Sequence, residues 1–453
     1  MRIGILGLAR SGRSAARLAR ARGFDVFASD AGTSADVLAA AADVRALGGT
    51  AETGAHPVPE LAACDVIVLS PGVPPTAAIL SEPAIAGVPR ISELEFAFRE
   101  LRAPVIAITG TNGKSTTTAL TAHLLGAAGF DATAAGNIGV ALSDVALRPR
   151  QPDWVVVEAS SFQLADVDTF APTIGVLTNL SPDHLDRYPS VDAYYADKAR
   201  LFRNATRTSI WVLNAEDAAA FALPGEAAGR RRVFRVNTRL GAREEGGWID
   251  AAGDLRIRIA GTDTRLVHQT ALCLLGEHNR ANALAASVAA VSAGASTDAV
   301  AAGLRTFGGL EHRLEIVAES DDVLWVNDSK ATNIGSTVVA LRSMDRPVVL
   351  LLGGRHKGES YTKLLGAMAG RVERVIAYGE AADIIEHDLA PHVAVERVTG
   401  GFGDVVARAA ATARPGDAVL LSPACSSFDM FRDYEDRGRS FKELVHQFAE
   451  TAS

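Results

Sequence analysis

The residues best suited to binding an anion and a metal begin at Thr109. An apolar run over residues 104–108 ends there, a glycine-rich turn follows, and Lys114 and Ser115 open a segment with helical spacing. Backbone N–H groups at such a turn and the dipole of the next helix favour an anion, a lysine adds positive charge, and a serine hydroxyl can reach a metal. The standard phosphate-loop pattern has glycine where this chain has Ile108. The stretch therefore predicts a shortened phosphate-binding loop between a strand and a helix.

Three polar side chains further along the chain suit a site for a metal and a triphosphate. Glu158 ends a second apolar run, and His184 follows a third, between two aspartates. Oxygen ligands dominate magnesium sites, and His184 is predicted to join them because a phosphate loop lies on a neighbouring strand. Lys198 lies on an apolar stripe of a helix predicted over residues 191–202, where desolvation disfavours its charge. Two interpretations stay open: the amine snorkels to the surface, or it is neutral and takes up carbon dioxide as a metal-binding carbamate.

The turn at residues 7–12, Gly-Leu-Ala-Arg-Ser-Gly, is similar to a dinucleotide fingerprint in which alanine replaces the second glycine. Asp30 follows at the next predicted strand end, where a ribose-binding acid would lie. A single degenerate fingerprint leaves two interpretations open, a nucleotide-diphosphate ligand or ordinary turn chemistry.

Three polar loops follow predicted strands in the last third of the chain, at residues 327–333, 353–358 and 422–429. The carboxyl ends of parallel strands are where open α/β sheets bind ligands. The loops are therefore predicted to form a pocket for a small anionic substrate. Cys425 lies in the third loop, but no histidine or asparagine partner is identifiable, so catalysis by this thiol is not expected.

The composition narrows the class of protein. A length of 453 residues predicts about three domains, and 48% hydrophobic with 22% charged residues is typical of a globular chain. A net charge of −8 argues against a general nucleic-acid binder, and the basic run at residues 230–232 is predicted to be a solvated loop. The three distant cysteines are predicted to be reduced thiols in a cytoplasmic protein. We expect neither a signal peptide nor a membrane span.

Apolar runs alternate with helical stretches in three successive parts of the chain, which predicts an α/β fold with parallel sheets. We place the domains at residues 1–92, 93–309 and 310–453. The first and last are predicted to be Rossmann-like. The central one is predicted to hold a parallel sheet of the phosphate-loop ATPase kind, with a small β excursion at residues 235–270 before a helix over residues 279–293.

Together these motifs resemble the Mur ligases, ATP-dependent amide-bond-forming enzymes of peptidoglycan precursor synthesis, over essentially the whole chain. The superfamily motifs are Thr-Gly-Thr-Asn-Gly-Lys-Ser at 109–115, Asn-Leu-Ser-Pro-Asp-His-Leu-Asp at 179–186, Gly-Glu-His-Asn at 276–279 and Glu-His-Arg at 311–313. Residues 328–333 and 421–429 resemble the members that add D-glutamate to UDP-N-acetylmuramoyl-L-alanine. The resemblance implies an ADP-forming reaction through an acyl phosphate and a tetrahedral intermediate, in the cytoplasm, by a monomer without an obligate protein partner.

The resemblance also implies a role for each matching residue. ATP would be bound by Gly110, Thr111, Asn112, Gly113, Lys114, Ser115, Thr116, Asn282, Arg313 and Asp328. Two Mg²⁺ ions are implied, one at Ser115 and Glu158 and one at His184 and carbamylated Lys198. The UDP substrate would be bound by Arg10, Ser11, Asp30, Ser70 and Asn137. Glutamate would be bound by Thr332, Lys357, Ser427, the Phe428 backbone and Tyr434. The catalytic side chains implied are Lys114, His184, Lys198, Arg313 and Lys330.

Two other functions compete with this one. The hypothesis of a nicotinamide-dependent dehydrogenase is supported by the N-terminal fingerprint alone. The hypothesis of a non-catalytic ATP-binding module gives no role to Glu158, His184 and Lys198. The chain also departs from the family pattern in two places. Tyr434 stands where phenylalanine is expected, and the pair Arg355-His356 before Lys357 is variable.

Overall fold

The computed structural model describes residues 1–185 and 187–452, so Asp186, the last residue of one family motif, lies outside the description. The described residues form three sheets, in which most strand pairs are parallel, and this confirms the predicted α/β class. The chain divides into two compact units, residues 1–269 with 281–304 and residues 270–280 with 305–453. The predicted domain boundaries after residues 92 and 309 stay predictions.

The first sheet is wholly parallel, in the order β3-β2-β1-β4-β5. Its strands are β1 (Arg2–Leu6), β2 (Asp25–Asp30), β3 (Thr50–Thr53), β4 (Val66–Leu69) and β5 (Arg90–Ser92), and its helices are α1 (Arg10–Ala21), α2 (Ala35–Ala46) and α3 (Val58–Ala62). The strand order reverses between β1 and β4, which is where such sheets bind ligands. Here the Ser70 hydroxyl, after β4, donates to the Gly7 carbonyl, after β1, at 2.8 Å.

The second sheet has the order β14-β13-β12-β11-β10-β9-β6-β8-β7. Its strands are β6 (Val105–Thr109), β7 (Ala132–Gly136), β8 (Trp154–Glu158), β9 (Ile174–Leu177), β10 (Ile210–Asn214), β11 (Arg230–Arg235), β12 (Gly246–Ile249), β13 (Asp254–Ile259) and β14 (Thr262–His268). Strands β6 to β12 pair in parallel, and β13 and β14 extend the edge in antiparallel fashion. The predicted β excursion at residues 235–270 contains β12, β13 and β14.

The helices over this part of the chain are α4 (Glu93–Glu100), α5 (Lys114–Ala127), α6 (Leu142–Ala146), α7 (Ser161–Ala165), α8 (Val191–Ala199), α9 (Ala218–Ala222), α10 (Glu277–Ser292) and α11 (Thr297–Thr306). Strands β6, β8 and β9 are almost completely buried, so they consist of continuous apolar runs. Such runs are what made them recognisable in the sequence.

Two local predictions were wrong. The helix predicted over residues 191–202 ends at Ala199, and a 3₁₀ turn follows over Arg200–Phe202. The basic run at 230–232 is not a loop but the start of β11, where Arg232 is only 6% exposed. Its guanidinium bonds the Glu245 carboxylate at 3.2 Å and the Ser292 hydroxyl at 2.6 Å, which offsets its desolvation.

The third sheet has the order β15-β16-β20-β17-β18-β19, and among its pairs β15 with β16 is antiparallel. Its strands are β15 (Glu315–Ser320), β16 (Val323–Asn327), β17 (Val348–Gly353), β18 (Val372–Tyr378), β19 (Ala394–Arg397) and β20 (Ala418–Leu421). The helices are α12 (Ile334–Arg342), α13 (Leu365–Met368), α14 (Ala382–Leu389), α15 (Phe402–Thr412) and α16 (Tyr434–Ala452). None of the helices described is long and apolar enough to cross a membrane.

Candidate active-site residues

The predicted phosphate loop joins β6 to α5, as expected. Gly110 has φ +142°, and a Cβ there would lie 2.0 Å from the Thr178 hydroxyl oxygen. Gly113 has φ +80°, and a Cβ there would lie 2.2 Å from Oδ1 of Asn282. Only glycine satisfies both the backbone angle and the space at these positions. Asn282 therefore lies against the loop, next to the residues with which it was predicted to bind ATP.

The residues that follow β9 hold the loop in place. The Thr178 hydroxyl donates to the Asn112 carbonyl at 2.6 Å, and the Asn112 amide donates to Oδ1 of Asn179 at 2.9 Å. The Thr111 amide donates to the Asn179 carbonyl at 2.9 Å. The loop is thus shaped by its neighbours before any ligand arrives, which is what a pre-organised anion site requires.

Two lysines converge on the carbonyl of Gly110. The Lys114 ammonium donates to it at 3.1 Å and to the Thr111 carbonyl at 2.8 Å, and Lys198 donates to it at 2.7 Å. The Lys198 side chain is 1% exposed, so it does not snorkel to the surface, and its Nζ lies 4.4 Å from the centre of the Tyr194 ring. Burial, followed by the positive charge of Lys114, lowers the pKa of Lys198 from 10.5 to about 7. A large neutral fraction of this amine is therefore available near neutral pH.

The Glu158 carboxylate lies at the end of β8 and is 1% exposed. Its Oε1 accepts from the Asn137 amide group at 2.7 Å, whereas Oε2 is buried without a hydrogen-bond partner among the described residues. A buried carboxylate oxygen without a donor is costly unless a cation satisfies it. Ser115, at the start of α5, is 9% exposed.

His184 adopts a left-handed backbone conformation with φ +54°, which is uncommon for residues other than glycine, although histidine adopts it more often than most. Its ring packs 5.2 Å from that of Phe162 and 6.0 Å from that of Tyr194, whose hydroxyl lies 3.4 Å from the Thr111 hydroxyl oxygen. Tyr194 thus lies between His184 and the loop. Within the described ranges, no three His, Cys, Asp or Glu side chains are grouped to hold a metal by themselves.

In the first sheet, Asp30 uses both carboxylate oxygens on the backbone. Oδ2 accepts from the Leu8 amide and Oδ1 from the Gly32 amide, each at 2.7 Å. Asp30 and Ser70 therefore fix the turn after β1, next to the half-buried Ser11. Arg10 is exposed, but its guanidinium is bonded to the loop after β7 that contains Asn137.

In the second unit, Asp328 lies at the end of β16 and accepts from the Ser422 hydroxyl at 2.8 Å and the Leu314 amide at 3.2 Å. Burial raises the pKa of Asp328 from 3.8 to about 7, although these bonds and the charge of Arg313 oppose the shift. Lys330 follows two residues later, and its Nζ lies 5.2 Å from the centre of the Tyr434 ring. The structure thus groups Arg313 with Asp328, and Lys330 with Tyr434.

The remaining predicted glutamate-binding residues lie on loops after strands of this sheet. Thr332 is half-buried, Lys357 is exposed, and the Phe428 side chain is 62% exposed. Ser427 is 1% exposed, and its hydroxyl has no partner among the described residues. The Tyr434 hydroxyl, the departure from the family pattern, donates to Oε1 of Glu435 at 3.1 Å.

Cys425 is unsuited to nucleophilic catalysis, as expected. Its thiol is fully buried and lies 2.8 Å from the Tyr361 hydroxyl, and burial raises the pKa of Cys425 to about 11.

Sequence reasoning missed two buried polar residues. Gln163 is 1% exposed, its Nε2 lacks a partner among the described residues, and it lines a cavity of about 490 Å³ together with Ser70 and Tyr188. The spacing of Ser160 and Gln163, which form a capping box at α7, was the available signal. Arg437 is fully buried and donates to the carbonyls of Ser329 and Cys425, joining two of the polar loops.

Comparison with known proteins identifies the family. Residues 108–290 match the family model for the Mur ligase middle domain, and residues 312–425 match that for the Mur ligase glutamate ligase domain. A relative from Salinibacter ruber, named UDP-N-acetylmuramoylalanine–D-glutamate ligase, is 43% identical over 97% of this chain and 96% of its own length. A relative of the same name from Myxococcus xanthus is 42% identical over 97% of both chains. The chain belongs to the Mur ligase family.

Solved structures of Mur ligases support the assignment of the fold. The UDP-N-acetylmuramate-alanine ligase from Thermotoga maritima matches with a TM-score of 0.58 and 20% identity, over 99% of this chain and 100% of that one. A pseudomurein peptide ligase from Methanothermus fervidus matches with a TM-score of 0.56 and 18% identity, over 99% of each. At these identities the match supports the fold alone.

Proposed function

We propose that this chain is an ADP-forming ligase that joins D-glutamate to UDP-N-acetylmuramoyl-L-alanine in cytoplasmic peptidoglycan precursor synthesis. The observation that carries the proposal is the desolvated amine of Lys198, bonded to the Gly110 carbonyl of the phosphate loop, in a chain whose relatives bear that ligase name. A loop that only held a nucleotide would not need a buried lysine with so low a pKa.

The residues present fit ATP and a divalent cation. The loop 110–113 is shaped for close approach of an anion, and the unpartnered Oε2 of Glu158 is an oxygen ligand of the kind Mg²⁺ prefers. We propose one Mg²⁺ at Ser115 and Glu158, and a second at His184 and carbamylated Lys198. When bound, Mg²⁺ would neutralise charge on the phosphate oxygens.

The chain's own residues would then carry out positioning and charge stabilisation. In the proposed reaction the L-alanyl carboxylate of the UDP substrate takes the γ-phosphoryl group of ATP, and the glutamate amine displaces phosphate from the acyl phosphate through a tetrahedral intermediate. Lys114 would hold the β- and γ-phosphates as a point charge. We assign Thr111, Asn112 and Thr116 to the same phosphate cradle and Asn282 to the adenine.

In the second unit, we propose that Arg313 contacts the phosphates, Asp328 the ATP ribose, and Lys330 the charged reacting centre. Glutamate would be received by Thr332, Lys357, Ser427, the Phe428 backbone and Tyr434. The buried, unpartnered hydroxyl of Ser427 supports this assignment, because a substrate carboxylate would supply the acceptor that it lacks.

For the UDP substrate we propose the turn after β1, with Arg10 and Ser11, together with Ser70 and Asn137. For Asp30 we propose a supporting part, because Oδ2 accepts from the Leu8 amide in that turn and Oδ1 accepts from the Gly32 amide in the turn after β2. Domain limits at residues 92 and 309 and a monomeric state belong to the same proposal.

A phosphate-release assay tests the function. Wild-type protein is incubated with ATP, Mg²⁺, UDP-N-acetylmuramoyl-L-alanine and D-glutamate, and each component is omitted in turn. We expect release only in the complete mixture, much less with L-glutamate, and almost none for Lys114→Ala. Release that continues without either substrate would defeat the ligase proposal. Turnover of NADH would instead support a dehydrogenase.

A further inference from the structure

Arg10 belongs to the turn after β1 but forms its hydrogen bonds with a loop of the second sheet. Its Nη1 donates to the Gly139 carbonyl at 2.7 Å, and its Nη2 lies 3.3 Å from the Gly136 carbonyl and 3.4 Å from that of Asn137. Three carbonyls of one short loop, residues 136–139, therefore face one guanidinium. Its planar set of donors suits such a cluster, and an ammonium would not span it.

The loop 136–139 lies directly on the end of β8. The Asn137 amide donates to the Glu158 carbonyl at 3.0 Å, and a Cβ on Gly136 would lie 2.4 Å from that same oxygen. The Asn137 side chain then donates to Oε1 of Glu158 at 2.7 Å and leaves Oε2 without a partner. The orientation of the Glu158 carboxylate thus depends on where this loop lies.

Other polar bonds hold the surrounding helices in fixed register. The Ser14 hydroxyl on α1 donates to Oδ2 of Asp144 on α6 at 2.8 Å. The Ser143 amide and hydroxyl donate to Oε1 of the buried Glu93 on α4, at 2.8 and 2.6 Å. Helix α6 follows the loop 136–139 in the chain, so the loop is held on one side by α6 and on the other by Arg10. Removing Arg10 would delete the hydrogen bonds on that second side and leave the connection to α6 unchanged.

We propose that Arg10 is a positioning residue for Glu158. It holds the loop 136–139 so that Asn137 fixes Oε1 and leaves Oε2 directed to a divalent cation bound with ATP. This inference rests on the proposed function, in which Glu158 is a metal ligand. Groups that orient a metal ligand typically affect metal affinity by about 10–100-fold when they are removed. Arg10 is one step further from the ligand than Asn137 and is exposed, so its effect is smaller.

The test measures metal binding rather than turnover. Mn²⁺ is titrated, with electron paramagnetic resonance detection, into protein saturated with a non-hydrolysable ATP analogue, and no UDP substrate is present. We expect Asn137→Ala to weaken Mn²⁺ binding about tenfold and Arg10→Ala about threefold. Arg10→Lys, with fewer donors, should restore part of the loss. The matched control is Arg13→Ala, which removes the same charge one turn along α1, where Arg13 pairs with Asp43, and should leave the affinity unchanged.

Hydrogen exchange on the metal-free protein provides an independent readout. The Asn137 amide should exchange several-fold faster in Arg10→Ala than in wild type or Arg13→Ala, because its bond to the Glu158 carbonyl opens more often. If Arg10→Ala matches wild type in both Mn²⁺ affinity and exchange, the inference is overturned, even if the KM for the UDP substrate rises. If wild-type protein with the ATP analogue binds no Mn²⁺, the proposed metal site is wrong. Hydrogen exchange then still tests Arg10, because an unchanged exchange rate of the Asn137 amide in Arg10→Ala would overturn the part assigned to Arg10.

Discussion

Replacing Lys198 by methionine should stabilise the fold and abolish activity. Burial and the charge of Lys114 lower the pKa of Lys198 from 10.5 to about 7. Each pKa unit is worth about 1.4 kcal/mol, so the charged ammonium costs the native state about 5 kcal/mol at pH 6. Losing the bond to the Gly110 carbonyl offsets about 1–2 kcal/mol of that gain. Methionine has a similar shape and no charge, so the variant should be more stable by about 3 kcal/mol at pH 6.

The pH dependence gives the sharper test. Below pH 7 the amine of Lys198 is protonated in both the native and unfolded states, so the destabilisation is fully present. Between about pH 7 and 10.5 the unfolded chain binds more protons than the native one, so native stability rises with pH. The advantage of Lys198→Met should therefore shrink by about 4 kcal/mol between pH 6 and pH 10.

The measurement is urea unfolding of wild type and variant at both pH values in carbon-dioxide-free buffer. Lys363→Met is the control, because Lys363 is exposed, pairs with Glu359, and should show little change with pH. A Lys198→Met variant that is less stable than wild type at pH 6, or whose advantage is the same at both pH values, would refute the reasoning.

Carbon dioxide tests the chemistry proposed for the same amine. Bicarbonate should raise the melting temperature and activity of wild type but neither property of Lys198→Met, because only the neutral lysine amine forms a carbamate. Lys198→Ala should be nearly inactive, and short carboxylates such as acetate should restore part of its activity. Near-normal activity of Lys198→Ala without additives would reject the carbamate.

Three further predictions concern single positions. Gly113→Ala should weaken ATP binding at least about tenfold in calorimetry, because its Cβ at φ +80° would meet Asn282; an unchanged affinity would contradict the loop geometry. Asp328→Asn should stabilise the protein by about 2–4 kcal/mol at pH 8 but not at pH 4, as measured by urea unfolding. The reason is that a carboxyl whose pKa is raised to about 7 destabilises the native state once it ionises. An equal change in stability at both pH values would be inconsistent with this. Tyr434→Phe should change the KM for D-glutamate by no more than about twofold, because the hydroxyl bonds Glu435 and the variant keeps the ring beside Lys330. A rise in KM of about tenfold would show instead that the Tyr434 hydroxyl contacts the substrate.

The parts of the fold that could be predicted are those determined by residues close together in the sequence. Strand β6, its glycine turn and α5 follow one another within about two dozen residues, so apolar runs, glycine and lysine were enough to predict them. The bonds from Thr178 and Asn179 that shape the loop join residues 66 or more positions apart. No periodicity encodes such a pairing, because it depends on β9 lying beside β6.

Charged residues were the least predictable, because a charge pattern does not show what a side chain meets in space. Arg232 was expected in solvent, yet it is buried against Glu245 and Ser292. Asp30 and Arg10 were predicted to bind the UDP substrate, which stays a prediction, but no sequence signal indicated that both also bond backbone groups of neighbouring turns. The buried Arg437 had no signal at all, since an arginine near a helix start is ordinarily exposed.

Each compact unit holds a titratable side chain beside a strand-end loop whose desolvation works against folding, Lys198 on α8 in the first unit and Asp328 after β16 in the second. Lys198 in the first unit and Asp328 in the second both have pKa values shifted by burial to about 7, the amine downward and the carboxyl upward. An apolar or amide side chain of similar size would remove that cost, so stability alone gives no reason for either residue. Groups held close to half ionisation near neutral pH are suited to exchanging a proton or gaining a covalent charge when a ligand arrives. We therefore assign functional parts to these two residues, the metal-binding carbamate to Lys198 and the contact with the ATP ribose to Asp328, rather than to the many exposed ion pairs.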